Sequence, residues 1–151
     1  MQVNVNNMVR IQVLKNFYLD EFIDKKTYLK YEAKGELWKL RLCIDNRVFD
    51  GVQLLRDMLG VPLTINNWST CGDRNWSGLR TENSPYYSKT SQHSYGRAVD
   101  IISGLGGELM RKFIDKHWVD FRKYFTTVEG NVEWLHIDCR IVDNNNKINI
   151  V

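Results

Sequence analysis

The chain has 151 residues, of which 43% are hydrophobic, and it contains 2 prolines and 10 glycines. This composition is that of an ordinary globular protein and excludes disordered and collagen-like chains, and the length predicts one domain over residues 1–151. The net charge of +3 is far below the clustered basic charge of nucleic-acid binders, so we expect no nucleic-acid partner.

The chain shows no sign of a membrane span or of a secretory signal. No window approaches the roughly 18 consecutive apolar residues of a spanning helix, and the first residues lack a basic stretch and an apolar core. We therefore expect a protein made in the cytoplasm with no membrane partner. Three cysteines at irregular spacing do not predict a disulfide framework, and we expect Cys139, which follows His136 closely, to be a buried free thiol.

The first half of the chain predicts helices followed by a strand. Residues 14–31 carry apolar and aromatic residues in a broken helical rhythm, with Asp20 as the candidate N-cap of a short helix. Over residues 46–59, apolar residues repeat at helical spacing, and Gly60 follows as a stop signal. Residues 62–68 alternate between apolar and polar side chains and predict a half-buried strand.

A long loop follows this strand. Residues 67–91 are rich in glycine, serine, asparagine and tyrosine, and a loop of that length inside a small domain usually has a function. We expect its aromatic side chains to wall a peptide groove. These side chains are Trp68, Trp76, Tyr86 and Tyr87.

The second half of the chain predicts a sheet with one long helix. Residues 97–102 are typical of a strand and residues 107–117 of an amphipathic helix. Residues 125–129 and 132–139 predict two strands joined by a tight hairpin, and residues 141–151 a final hairpin. Together these elements predict an α+β fold, with an antiparallel sheet and helices packed on one side.

Two short segments concentrate residues that suit catalysis. The segment SQHSYGRAVDI contains His93 and Asp100, with Gly96 between them permitting a sharp turn. The segment VEWLHID contains Glu133 three residues before His136. Two histidines, an aspartate and a spare glutamate are typical of a catalytic zinc site, where three protein ligands leave a position open for water.

A carboxylate outside the ligand set must take a proton from water and deliver it to the leaving amine, and we expect Glu133 to do so. Strand alternation, however, places Trp134, His136 and Asp138 on one face and Glu133 on the other. Glu133 therefore reaches the metal only if the strand begins after it or carries a bulge.

The pattern S-x-H-x-x-G-x-A-x-D followed by E-x-x-H resembles the zinc D-Ala-D-Ala carboxypeptidase superfamily. This superfamily includes the vancomycin-resistance D,D-dipeptidases, the L-alanyl-D-glutamate phage endolysins and, more distantly, the Hedgehog domain. His93, Asp100 and His136 fall on its three zinc ligands, and Glu133 falls on its catalytic carboxylate. The resemblance implies one Zn²⁺ per chain and a Hedgehog/DD-peptidase-like fold of the small phage type.

Two further residues take their roles from the same resemblance. The segment SGLR, which ends at Arg80, is similar to an SGYR-type segment whose arginine contacts the substrate carbonyl or carboxylate. Ser91 matches a serine that lies near the substrate. The resemblance thus implies a catalytic and substrate-binding Arg80 and a substrate-binding Ser91, whereas the alternatives are a surface arginine and a loop cap. Leucine replaces the usual tyrosine before Arg80, which bears on substrate preference.

The expected function is that of a zinc metallopeptidase that hydrolyses a peptide bond next to a D-amino acid in bacterial peptidoglycan. We expect a monomer that acts on stem peptides of the cell wall after release, as a phage-type endolysin or a wall-remodelling carboxypeptidase. The alternative is a catalytically silent, zinc-stabilised binding or virion structural protein of the same fold. The sequence leaves open whether the D-Ala-D-Ala bond, the L-Ala-D-Glu bond or a cross-link is cut.

Overall fold

Five α-helices and two small sheets make up residues 7–151, the part of the chain that the computed structural model describes. The helices are α1 (Lys25–Glu32), α2 (Leu37–Leu42), α3 (Asn46–Leu59), α4 (Gly107–Lys116) and α5 (Trp118–Phe121). The strands are β1 (Gln12–Leu14), β2 (Phe17–Tyr18), β3 (Ala98–Ile101), β4 (Thr127–Val128), β5 (Leu135–Asp138) and β6 (Asn149–Ile150). The predicted α+β class is confirmed, and none of these helices has the length and apolar character needed to cross a membrane.

The larger sheet has the strand order β3-β5-β4-β6. Strands β3 and β4 both pair antiparallel with β5, as predicted, but β6 runs parallel to β4, so the sheet is mixed. The predicted hairpin over residues 141–151 is wrong. The end of the chain pairs with β4 instead of with itself, because the Asn149 N–H donates to Thr126 O and the Val151 N–H donates to Val128 O, each at 3.0 Å.

The predicted N-cap at Asp20 is also wrong. Helix α1 is capped by Asp24, whose side chain accepts a hydrogen bond from the Thr27 N–H at 3.0 Å. Asp20 lies in a preceding 3₁₀ turn, fully buried, and forms an ion pair with Arg10 at 2.8 Å. A buried carboxylate requires such a partner. Asp20 therefore forms a buried ion pair instead of capping a helix.

Helix α3 has the bounds that the apolar spacing predicts. It begins after Asp45, whose side chain accepts from the Arg47 N–H at 2.9 Å, and it ends at Gly60, which adopts a left-handed φ of 68°. These are the usual start and stop devices of a helix. Its buried face contributes Val48, Phe49, Val52 and Leu55 to the hydrophobic core.

The predicted strand over residues 62–68 reduces to one antiparallel bridge. Thr64 and Ile102 exchange both backbone hydrogen bonds at 2.9 Å, which ties this segment to the end of β3. The long loop after it is confirmed and continues to the start of β3 at Ala98, and its only helical turns within the described residues are the 3₁₀ turns Trp68–Thr70 and Gln92–Tyr95.

The two faces of the larger sheet have opposite characters, which positions the site. One face is apolar and belongs to the core, together with Met110 and Ile114 of α4. Its members are Val99, Ile101, Val128, Leu135 and Ile137, each at most 2% exposed. The other face carries Asp100, His136 and Asp138, because side chains alternate along each strand. We call this second face the polar face.

Candidate metal centre

The structure brings together the three predicted zinc ligands. His93, Asp100 and His136 each offer a ligand atom, all within 4.8 Å of one another, and the three residues are 2%, 7% and 8% exposed. Asp100 lies directly opposite His136 in the β3–β5 pairing, and His93 comes from the turn at the end of the long loop. Register therefore supplies two members of the group, and the loop supplies the third.

The turn that presents His93 depends on the glycine that follows it. Gly96 has a φ of 65°, and its N–H donates to the His93 carbonyl at 3.2 Å. A Cβ at Gly96 would lie 1.8 Å from the Cys43 carbonyl oxygen. Only glycine therefore fits this position, as the sequence pattern predicts.

Outer hydrogen bonds fix which nitrogen each histidine turns toward the group. His93 Nδ1 lies 2.8 Å from the Gly78 carbonyl oxygen, and a carbonyl only accepts, so Nδ1 carries the hydrogen and Nε2 faces the group. His136 Nε2 lies 3.1 Å from Asp138 Oδ2, which leaves Nδ1 facing inward, 2.8 Å from Asp100 Oδ1. Metal-binding histidines anchor their second nitrogen in this way, so the residues present fit a zinc ion.

The charges within the group are strongly coupled. Burial by itself raises the pKa of Asp100, but its interactions with the two histidines, His136 first, outweigh burial and hold that pKa well below its usual range. Burial lowers the pKa of His136, but hydrogen bonds to Asp100 and Asp138 raise it to about 9. At neutral pH, a protonated His136 therefore bridges the Asp100 and Asp138 carboxylates in the metal-free protein, and a metal ion would displace its inner proton.

Arg80 contacts the group through Asp100. Its Nη2 donates to Asp100 Oδ2 at 2.7 Å, and its Nε donates to the Trp76 carbonyl oxygen at 2.9 Å. Asp100 thus turns one oxygen to Arg80 and the other to the two histidines. This arrangement leaves a single Asp100 oxygen for a metal ion and holds Arg80 beside it.

A cavity of about 830 Å³ opens in front of the group. The predicted site residues Arg80 and Ser91 line it, and so do the loop aromatics Trp76 and Tyr86. The cavity also includes three residues to which the sequence pattern gave no functional role, namely Glu129, Trp134 and Arg140. Trp134 and Arg140 lie on either side of the ligand histidine in the sequence, which is the signal that could have found them.

Two of the aromatic residues predicted to wall the groove do not line it. Trp68 is 7% exposed, packs edge to face on Tyr28 and donates from Nε1 to the Ile23 carbonyl oxygen at 2.9 Å. It is a core residue, because its indole N–H finds its partner inside the protein. Tyr87 contributes to a separate, smaller pocket.

Glu133 lies outside the cavity lining, although strand β5 begins after it, at Leu135. Its side chain is exposed, and its carbonyl accepts from the Gly107 N–H at 2.9 Å. The tight hairpin predicted at residues 129–131 is wrong, because the whole segment 129–134 connects β4 to β5. The structure therefore gives Glu133 no contact with the ligands.

Cys139 stays outside the ligand group. It is fully buried, and burial raises the pKa of its thiol to about 12. Such a thiol remains protonated at neutral pH and is a poor metal ligand. The prediction of a buried free thiol is confirmed.

The fold and the site together define an α+β protein with a buried His–Asp–His group that could hold a metal ion, open to a cavity lined by aromatic and charged residues. Comparisons with protein-family models, with curated proteins and with solved structures found no match to this chain.

Proposed function

We propose that this protein is a zinc metallopeptidase that hydrolyses a peptide bond in bacterial peptidoglycan, next to a D-amino acid. The observation that carries the proposal is the inward orientation of two histidine nitrogens and one carboxylate oxygen, each anchored by a partner on its outer side. A catalytic zinc site requires ligand atoms that are oriented in this way before the metal binds. The proposal includes the Hedgehog/DD-peptidase-like fold and the small phage type that the sequence pattern resembles.

His93, Asp100 and His136 would hold the ion, which supplies Lewis-acid polarisation of a carbonyl and a lowered pKa for water. The Asp138 carboxylate keeps the His136 ring in place by accepting from Nε2. The Gly78 carbonyl does the same for His93. These contacts keep the ligands oriented without reorganisation when substrate arrives.

Arg80 is suited to stabilise negative charge that develops on the scissile carbonyl oxygen. It lines the cavity, and a guanidinium has five N–H donors, of which the Nε and Nη2 contacts described above use only part. The ion pair with Asp100 fixes the plane of the guanidinium, so its remaining donors are held in place beside the ligand group.

The cavity suits a peptide substrate. Its volume of about 830 Å³ falls in the range of small-ligand and peptide clefts, and Trp76, Tyr86 and Trp134 give it apolar walls. Ser91 contributes a hydroxyl to the same lining and is our candidate for a substrate hydrogen bond. A chain of stem-peptide residues would lie between these walls and the metal ligands.

Mass spectrometry of purified muropeptides incubated with the zinc-loaded protein tests this proposal. We expect two fragments whose masses identify the bond that is cut, loss of the reaction with a chelator, and recovery with zinc. A zinc-loaded protein that leaves every muropeptide intact would contradict the enzyme. It would instead favour a zinc-stabilised binding or virion structural protein of the same fold.

A further inference from the structure

Three arginines line the cavity beside the metal ligands, and two of them already have carboxylate partners. Arg80 donates to the Asp100 carboxylate at 2.7 Å, and Arg140 donates from Nε to the Asp138 carboxylate at 2.9 Å. Glu129, which also lines the cavity, adds a further negative charge that acts on Arg140. The charges of these two guanidinium groups are therefore balanced by carboxylates of the protein itself.

The third arginine, Arg74, donates its side-chain hydrogen bonds to neutral groups. Its Nε donates to the Ile65 carbonyl oxygen at 2.8 Å, and its Nη2 donates to Ser77 Oγ at 2.8 Å and to the Asp100 carbonyl oxygen at 3.4 Å. Asp73 and the Asp100 side chain attract Arg74 at longer range. Within residues 7–151, however, Arg74 forms no ion pair, so its charge has no direct partner.

The contacts of Arg74 fix the position of its guanidinium. The side chain is half-buried, and its acceptors belong to the segment before the long loop, to the loop and to strand β3. Its backbone N–H is also fixed, because it donates to Asn67 Oδ1 at 2.9 Å. The remaining amino group, Nη1, makes no hydrogen bond within residues 7–151 and is not closed off from solvent. Two N–H donors of a fixed cation therefore remain for a ligand in the cavity.

A cation held in this way is suited to bind a carboxylate. A half-buried charge without a direct partner costs free energy, and an anionic ligand would offset that cost. The N–H groups of a guanidinium form short, charge-assisted hydrogen bonds with carboxylate oxygens. The contact with the Asp100 carbonyl oxygen places Arg74 next to β3, the strand that carries one of the metal ligands. A carboxylate bound by Arg74 would therefore lie close to the metal ligands.

We propose that Arg74 binds a free carboxylate of the substrate and so determines which muropeptides the protein accepts; the inference rests on the proposed peptidase function. A stem peptide offers such a group in two places, at its C-terminus and on D-glutamate, of which only one carboxyl group continues the peptide chain. Arg80 keeps the different role of stabilising charge that develops on the scissile carbonyl oxygen. Arg74 then acts on the binding of the substrate, and Arg80 acts on its conversion.

The experiment uses three versions of the muropeptide that the zinc-loaded wild type cleaves. These are the free acid, the C-terminal amide and the amide of the free D-glutamate carboxyl group. For the wild type, we expect KM to rise by about 10–100-fold on one of the two amides with little change in kcat, because a charge-assisted hydrogen bond is lost. The affected amide identifies the carboxylate that Arg74 binds. Equal KM values on all three versions would overturn the proposal.

Substitution assigns this preference to Arg74. For Arg74→Gln, KM on the acid should rise to the value that the wild type shows on the affected amide, so that the acid and that amide no longer differ. Arg56→Gln is the matched control, because Arg56 lies on α3 and outside the cavity lining, and it should keep the full preference. A purely structural role of Arg74 would impair cleavage of all three versions alike, and that result would overturn the proposal.

The possible failures are distinguishable. A wild type that cleaves while Arg74→Gln keeps the preference for the acid overturns the role of Arg74 and leaves the peptidase function standing. A zinc-loaded wild type that cleaves none of the versions overturns the peptidase function and this inference with it. If Arg74→Gln loses its fold, as circular dichroism would show, Arg74→Lys replaces it. That variant keeps a charge without the planar fork, so the preference should fall in part, and an unchanged preference would count against the proposal.

Discussion

The polar face of the sheet and the long loop contribute to the same candidate metal site by different physical means. On the sheet, the backbone pairing of β3 with β5 alone places Asp100 opposite His136. In the loop, Arg80 and His93 are positioned by contacts with distant elements, such as the Leu79 N–H, which donates to the Phe22 carbonyl oxygen at 2.8 Å. The sheet ligands therefore depend on a repeating pattern, and the loop ligand depends on individual tertiary contacts.

This difference teaches where the site is vulnerable. Within the sheet, a ligand is lost only if its own side chain changes, because the register is held by several neighbouring pairs. Within the loop, a change in a residue that touches no metal can move a ligand, because one carbonyl holds the His93 ring. Substitutions in the two regions should therefore differ in how they affect zinc binding, catalysis and stability.

Removal of one ligand from each region should abolish stoichiometric zinc binding. For His136→Ala and His93→Ala, we expect zinc affinity to fall by more than the roughly 10–100-fold that loss of an outer hydrogen bond costs. At neutral pH, His136→Ala should also lower the free energy of unfolding of the metal-free protein more than His93→Ala does, since Asp100 and Asp138 lose their shared partner. Equilibrium dialysis with metal analysis, and denaturant unfolding, measure the two effects; full zinc occupancy in His136→Ala would contradict the site.

Replacement of Arg80 tests the loop contribution to catalysis. If its guanidinium stabilises the developing oxyanion, Arg80→Ala should lower kcat by about 10²-fold or more with little change in KM. Arg80→Lys should recover only part of the rate, because an ammonium keeps a charge near Asp100 but lacks the planar fork. Steady-state kinetics on muropeptides check both variants. A rise in KM alone would assign Arg80 to substrate anchoring, and wild-type kinetics would exclude both roles.

Zinc binding should become tighter as pH rises. The pKa of His136 is raised to about 9 in the metal-free protein, and its inner nitrogen must lose a proton to bind a metal. Below that value, affinity should fall by about tenfold per pH unit, and above it the dependence should flatten. The stabilisation that protonated His136 gives the metal-free protein is complete below the ordinary histidine pKa of 6.5 and is lost as pH rises through about 9.

Zinc titrations between pH 6.5 and pH 9 measure how the zinc affinity depends on pH across the range in which His136 loses its proton. The control is His117→Ala, which removes a histidine that lies at the end of α4, outside the ligand group. It should leave the slope unchanged. An affinity that is independent of pH over this interval would contradict the charged state of His136.

The smallest expected effect comes from Gly78, a loop residue that holds a ligand without touching the metal. A Cβ at Gly78 would lie 2.2 Å from the Phe22 carbonyl oxygen, so Gly78→Ala must displace the loop and the carbonyl that holds His93. We expect a loss of about 1–3 kcal/mol in the free energy of unfolding, with weaker zinc binding. Gly104→Ala, where a Cβ has open space, is the matched control for denaturant unfolding. Equal stability of the two variants would count against the tertiary anchoring of the loop.

Local patterns in the sequence were sufficient for some elements of the fold. Helix α3 was predictable to its last residue, because the spacing of its apolar residues and the stop signal at Gly60 involve only residues that are neighbours along the chain. The grouping of His93, Asp100 and His136 was predictable because the residue types and their spacing form a recognisable pattern in two short segments. The Asp24 cap and the parallel strand β6 were not predictable from the sequence. Several polar residues could cap α1, and the last strand could pair with more than one strand edge, so tertiary packing decides both.

The sequence by itself determined which residue types are available for a metal site and the helical and strand periodicities that frame it, since both depend on spacing along the chain. Only the tertiary structure decided which carboxylates enter the cavity. Glu129 lies inside it and Glu133 outside, because the register between β4 and β5 and the course of residues 129–134 fix their positions. Register depends on pairing between distant strands, and no local pattern in a single sequence specifies it uniquely.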